Sequence, residues 1–175
     1  MSTNERILSP FTLPNGTELK NRLLMAPMTT CTGYYDGTVT SELVEYYRAR
    51  AGSIGTIIVE CCFVDDLGLA FPGAIGIDND EKIAGLAKIA DAIKSKGSKA
   101  LLQIYHGGRM VDPKLIGGRT PVGPSAVAAP RDGAATPVAL TAEEVEGMIG
   151  KFGEAVRRAI QAGFDGVEIH GANTY

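Results

Sequence analysis

The sequence holds no Cys-x-x-Cys pair: its three cysteines, Cys31 and the neighbours Cys61 and Cys62, are odd in number and badly spaced for a zinc site. That excludes a disulfide framework and points to a reducing, intracellular setting. No run of 18 apolar residues occurs, and the segment from Met1 to Phe11 carries charges where a secretory leader would have its apolar centre. The expectation is a cytoplasmic protein with no membrane contact. Excess positive charge is also missing, since 17 Lys and Arg stand against 20 Asp and Glu for a net charge of −3. A nucleic-acid partner is thereby disfavoured. Neither G-x-G-x-x-G nor a P-loop is present; His106-Gly107-Gly108-Arg109 and Ile116-Gly117-Gly118-Arg119 have other spacings. What is present is a chain of 175 residues, 45% hydrophobic, long enough to bury a core.

The order of patterns is strand, then helix, repeatedly. Asn15-Gly16 between Pro10–Leu13 and Thr17–Leu19 predicts an opening β-hairpin. Arg22 to Met25 reads as a first strand, stopped at Ala26-Pro27 because proline has no N–H for a ladder. Leu43, Tyr46, Tyr47 and Arg50 recur at helical spacing, predicting a helix from Ser41 to Ala51. Thr56 to Glu60, β-branched and without alternation, fits a strand covered on both faces. Asp78 with Glu81 reads as the cap of a helix carrying Ile83, Leu86, Ala87, Ala90 and Ile93, ending at Lys96-Gly97. Ala100 to Tyr105 is a third strand, and Gly107 to Pro137 a long Gly- and Pro-rich loop. Thr141 with Glu144 forms a capping box before the apolar stripe Val145 to Ile160, and Val167 to His170 follows as a fourth strand.

Strands that alternate with helices or long connections argue for an α/β fold with a parallel sheet. With no phosphate-binding fingerprint, a (β/α)8 TIM barrel is favoured over a doubly wound sheet. In such a barrel the chemistry sits at the carboxyl ends of the strands. There lie Pro27 and Thr29, Glu60 and Cys61, Gln103 and His106, His170 and Asn173. A complete barrel takes about 250 residues. Only four strands can be counted here, so the expectation is a half barrel: residues 1–175 as the N-terminal half of one domain, with the C-terminal half outside the chain.

Glu168-Ile169-His170-Gly171-Ala172-Asn173-Thr174-Tyr175 is the densest polar cluster. An imidazole and a carboxamide can both donate to one carbonyl oxygen, and a phenol protonated at neutral pH can release a proton in a transition state. Together they suit polarised addition to a conjugated carbonyl. This octapeptide resembles the active-site signature of the Old Yellow Enzyme family of FMN-dependent ene-reductases. Four further segments agree in order: Pro10-Phe11-Thr12-Leu13 with Leu19-Lys20-Asn21-Arg22, Met25-Ala26-Pro27-Met28-Thr29, Ile58-Val59-Glu60-Cys61, and Gln103 through Arg109.

The resemblance implies an FMN cofactor reduced by NAD(P)H and a conjugated enal, enone or nitroalkene as the molecule reduced. By it, Pro27 and Met28 lie against the flavin, Thr29 donates to the ring near its C4 carbonyl, Cys61 is close by, and Gln103 meets the pyrimidine edge. His170 and Asn173 hold the substrate's activating oxygen, and Tyr175 donates the proton. The family commonly has glycine where this chain has Thr174. His106 and Arg109 are expected to support the base of the long loop, and Glu60 and Glu168 to be paired in a buried polar network. Family members are often oligomers, so a homo-oligomer or pairing with a C-terminal half-barrel is expected. The competing expectation is a half-barrel fragment or assembly module without activity of its own.

Overall fold

The computed structural model describes residues 2–175. A short helix α1 (Thr3–Leu8) precedes a two-residue hairpin, β1 (Phe11–Thr12) antiparallel to β2 (Glu18–Leu19). Helix α1 was not among the expected elements. Its signal is a capping box: Ser2 Oγ accepts from Glu5 N–H while the Glu5 carboxylate accepts from Ser2 N–H.

The core is a four-stranded parallel sheet in the order β3 (Leu24–Met25), β4 (Thr56–Phe63), β5 (Lys99–Tyr105), β8 (Gly166–Ile169). Helix α2 (Ser41–Arg50) joins β3 to β4, α3 (Ile83–Lys94) joins β4 to β5, and α4 (Ala142–Gln161) leads into β8. Sequential strands of this sheet are thus neighbours in space, the usual outcome of short strand–helix–strand connections. Every residue of β4 is buried, in keeping with an unalternating β-branched strand covered on both faces. Leu43 and Tyr47 from α2, Leu86 and Ile93 from α3, and Ala155 and Ala159 from α4 seal one side of the sheet.

Several boundaries differ from expectation. Strand β4 does not end at Glu60 but runs on through Cys61 and Cys62 to Phe63, because its register against β5 shifts between Val59 and Cys62. Such a bulge inserts an extra residue and re-aims the side chains beside it. Asp78 does not cap the second helix: Asn79 Oδ1 accepts from Glu81 N–H at 3.0 Å, and a 3-10 turn (Asp80–Lys82) precedes α3. The loop 107–137 is not featureless. It holds two 3-10 turns (Gly108–Met110 and Pro113–Ile116) and a strand β6 (Val122–Gly123) that pairs with β7 (Val138–Ala139). The apolar stripe of α4 is only partly covered, since Ile149 is 60% and Ile160 54% exposed.

The Thr141 capping box is present as expected, with Glu144 N–H donating to Thr141 Oγ1 at 3.2 Å and Thr141 N–H to Glu144 Oε2 at 2.7 Å. Thr141→Ala removes the acceptor of one otherwise unpaired helix N–H, at a cost of about 1 kcal/mol. The expected outcome is hydrogen exchange some fivefold faster over the first turn of α4, with the sheet amides unaffected.

Candidate functional site

The carboxyl ends of β3, β4, β5 and β8 gather one polar and aromatic surface. Beyond β3, Pro27 is half-buried and Met28 is 54% exposed, so the Met28 thioether is presented outward. Thr29 Oγ1 sits 3.1 Å from Cys61 Sγ at the β4 bulge. Burial pushes the Cys61 thiol up to about 11, against the hydrogen bond with Thr29, so it stays protonated at neutral pH. Next to it the fully buried Glu60 accepts from Thr30 N–H at 3.2 Å, from Thr30 Oγ1 at 2.9 Å and from the Tyr47 hydroxyl at 3.2 Å. Burial drives the Glu60 carboxyl above the usual range, and those three hydrogen bonds pull against it.

On β5, Gln103 is buried and its Nε2 donates to Glu168 Oε1 at 2.7 Å. The two expected carboxylates are therefore not partners. Glu60 belongs to the Thr30–Tyr47 network and Glu168 to Gln103, because the bulge turns Glu60 toward α2 while Glu168 stands directly across from Gln103 in the β5–β8 register. Gln103 has its carbonyl oxygen and a second N–H left for another partner.

At the end of β8, the His170 ring stacks on Tyr175 with centroids 5.2 Å apart. Tyr175 is boxed further by Tyr105, edge-on at 5.9 Å, and by Phe71 at 5.6 Å. Tyr105 is itself pinned, its hydroxyl accepting from Ala70 N–H at 3.1 Å. Desolvation raises the Tyr175 phenol, opposed by the charge of Arg131, so it is a neutral proton donor around pH 7. Asn173 is exposed and, among the described residues, its side chain makes no hydrogen bond. No hydrogen bond joins it to His170. Asn173 and Thr174 both have left-handed backbone, φ 55° and 65°.

His170, Thr174 and Tyr175 form one wall of a cleft of about 480 Å³, faced by Arg109, Ser125, Met148 and Phe152. Sequence reasoning missed Tyr105, Phe71, Met148 and Phe152. The first follows Gln103 by two positions on the same strand face, which is a legible signal; the others come together only through packing. His106 and Arg109 do support the loop: His106 Nδ1 accepts from Gly108 N–H at 3.0 Å, and Arg109 Nη1 donates to Ala128 O at 3.3 Å.

His106 Nε2 is buried without a partner among the described residues, and desolvation lowers the imidazole below its usual range. A base whose folded-state value is depressed binds fewer protons folded than unfolded. Stability is then level above pH ~6.5 and declines as the pH falls below it. A His106→Gln variant, which keeps an acceptor for Gly108 N–H but cannot titrate, is expected to flatten the urea-midpoint profile between about pH 6.5 and 5.

Parallel strands alternating with helices, with polar side chains at the strand carboxyl ends, are the pattern of a TIM barrel, here four of its strands and three of its crossover helices. The chain belongs to the NADH:flavin oxidoreductase / NADH oxidase family, whose model matches residues 6–175. It is 87% identical over its whole length to the NADH:fumarate oxidoreductase of Klebsiella pneumoniae (strain 342) and 58% identical over 97% of its length to the NADH:acrylate oxidoreductase of Vibrio harveyi. Those matches span 19% and 17% of the two relatives. Among solved structures it superimposes on the old yellow enzyme homologue from Zymomonas mobilis with a TM-score of 0.88 at 34% identity, over 97% of this chain and 49% of that one. The chain therefore spans about a fifth of those curated relatives and half of that barrel. Among the described residues no helix is long and apolar enough to cross a membrane.

Proposed function

We propose that residues 1–175 are the N-terminal half of a single FMN-binding barrel that oxidises NADH or NADPH and reduces an activated C=C bond. The observation that carries this reading is the His170–Tyr175 stack, held by Tyr105 and Phe71 on the cleft wall. The residues fit a flavin. Exposed Met28 beside Pro27 offers an apolar support, and on the same face lie a hydroxyl, Thr29, and a carboxamide with free donor and acceptor capacity, Gln103. Bound there, FMN would relay a hydride from the nicotinamide to the acceptor.

Within that reading, Thr29 donates to the ring and stabilises the negative charge of its reduced form. Gln103, oriented by Glu168, pairs with the pyrimidine edge. His170, with Asn173 after a local turn adjustment, donates to the carbonyl or nitro oxygen, and Tyr175 delivers a proton to the α-carbon. The acceptor class is a conjugated enal, enone or nitroalkene; the relatives named for fumarate and acrylate extend it to α,β-unsaturated carboxylates. By the family resemblance, the other half of the barrel would supply the phosphate site and a cation near the flavin, so the 175-residue chain alone is expected to bind no FMN. A flavin absorption spectrum of the chain by itself, beside one of the full-length protein, checks this.

A second reading is favoured by one observation. The chain covers less than a fifth of relatives whose names share NADH but differ in acceptor, and a NADH oxidase and a metal reductase also match it. In that reading the barrel takes hydride from NADH and passes electrons to another part of the same polypeptide. Anaerobic stopped-flow of the full-length protein separates the two, because only the first makes reoxidation by the alkene depend on Tyr175.

A further inference from the structure

We infer that Glu60 is a positioning residue for the flavin, acting through the loop that follows β3. This inference rests on the reading above that FMN lies against Pro27, Met28 and Thr29. Glu60 is 0% exposed and no cation pairs with it among the described residues, an unusual state for a carboxylate. Its surroundings are instead a converging set of neutral donors. From the loop come Thr30 N–H and Thr30 Oγ1; from α2 comes the Tyr47 hydroxyl, which also accepts from Glu60 N–H at 2.8 Å.

Proton counting fixes the direction of this chain of hydrogen bonds. Thr30 has one hydroxyl proton and spends it on Glu60, so Thr32, 2.8 Å away, donates to Thr30. Thr30, Thr32 and Glu60 thus form one unit that ties the loop to the buried strand. Residues 29–31 have no regular secondary structure, and Cys31 is held in left-handed backbone at φ 58°, so the loop has no ladder of its own to fix it. The neighbouring Thr29 hydroxyl reaches the Cys61 sulfur one residue beyond Glu60. Glu60 and Cys61 sit together at the β4 bulge, which aims the first at the loop's main chain and leaves the second beside the loop's reactive hydroxyl. Loss of the carboxylate would release Thr30 and, with it, the placement of Thr29.

The experiment uses the full-length protein carrying Glu60→Ala, Glu60→Gln, Thr29→Ala and the Glu60→Ala/Thr29→Ala pair. FMN affinity is measured by fluorescence quenching and the flavin midpoint potential by reductive titration. Glu60→Ala is expected to weaken FMN about tenfold, the scale of a hydrogen bond to a charged group, and to lower the potential. Glu60→Gln, which keeps one acceptor for Thr30 N–H, restores most of the affinity. In the Thr29→Ala background the potential shift from Glu60→Ala disappears, since position 60 acts through position 29. A shift that persists there, or unchanged affinity and potential in Glu60→Ala, overturns the inference. If Glu60→Ala does not fold, Thr30→Val takes its place with the same expectations. A wild-type protein that binds no FMN refutes the underlying reading instead.

Discussion

Tyr175→Phe in the full-length protein is expected to slow flavin reoxidation by an activated alkene by roughly 10²–10⁴-fold, the usual worth of a positioned general acid. Flavin reduction by NADH should be unchanged, because that step needs no proton from the phenol. The Phe ring keeps the stack on His170 and the contacts with Tyr105 and Phe71, so the substitution removes the proton and little else. Burial keeps Tyr175 protonated against the opposing charge of Arg131, so a fall in rate is attributable to the missing O–H and not to a lost anion. His170→Ala differs in kind. It removes an oxygen donor and one face of the Tyr175 box, so the Kd of a phenolic or carbonyl ligand should rise before any rate constant falls. Reoxidation rates that ignore Tyr175→Phe would favour electron transfer to another part of the polypeptide.

Leu102→Ala carries the largest expected loss of stability. Leu102 is 0% exposed at the centre of β5, in register with Val59 on one side and Val167 on the other. Neither neighbouring strand can collapse into the void without breaking its own ladder. The cost is therefore placed in the range of about 2–5 kcal/mol for a buried Leu→Ala change. At roughly 2–4 °C per kcal/mol, a melt followed by circular dichroism should show a drop of roughly 4–20 °C. A drop below 2 °C would mean that the core repacks around the cavity.

Much of this architecture is legible along the chain. The β-branched run of β4 announces burial on both faces, and the Thr141–Glu144 pair marks the start of α4 without any tertiary information. The strand-end residues could be listed because a parallel sheet sends every carboxyl end to one side. The bulge between Val59 and Cys62 could not be read, since it depends on how β4 meets β5 and not on the composition of either. With it went the fate of Glu60, whose partners come from a loop 30 residues earlier and a helix 13 residues earlier. The aromatic box was half visible: Tyr105 shares its strand with Gln103, but Phe71 arrives from a loop with no periodic pattern. Asn79 displaced Asp78 as the cap because the first turn is 3-10, a distinction too local for spacing rules.

Two consecutive non-glycine residues, Asn173 and Thr174, are held in left-handed backbone, and for β-branched Thr174 this costs on the order of 1 kcal/mol or more. The segment is a tight turn closed by Tyr175 N–H donating to Ala172 O at 3.1 Å, and it is this turn that seats the Tyr175 ring among its three aromatic neighbours. Thr174→Gly removes the clash of a β-branched side chain with left-handed backbone, so the urea midpoint should rise slightly while the aromatic contacts of Tyr175 are kept.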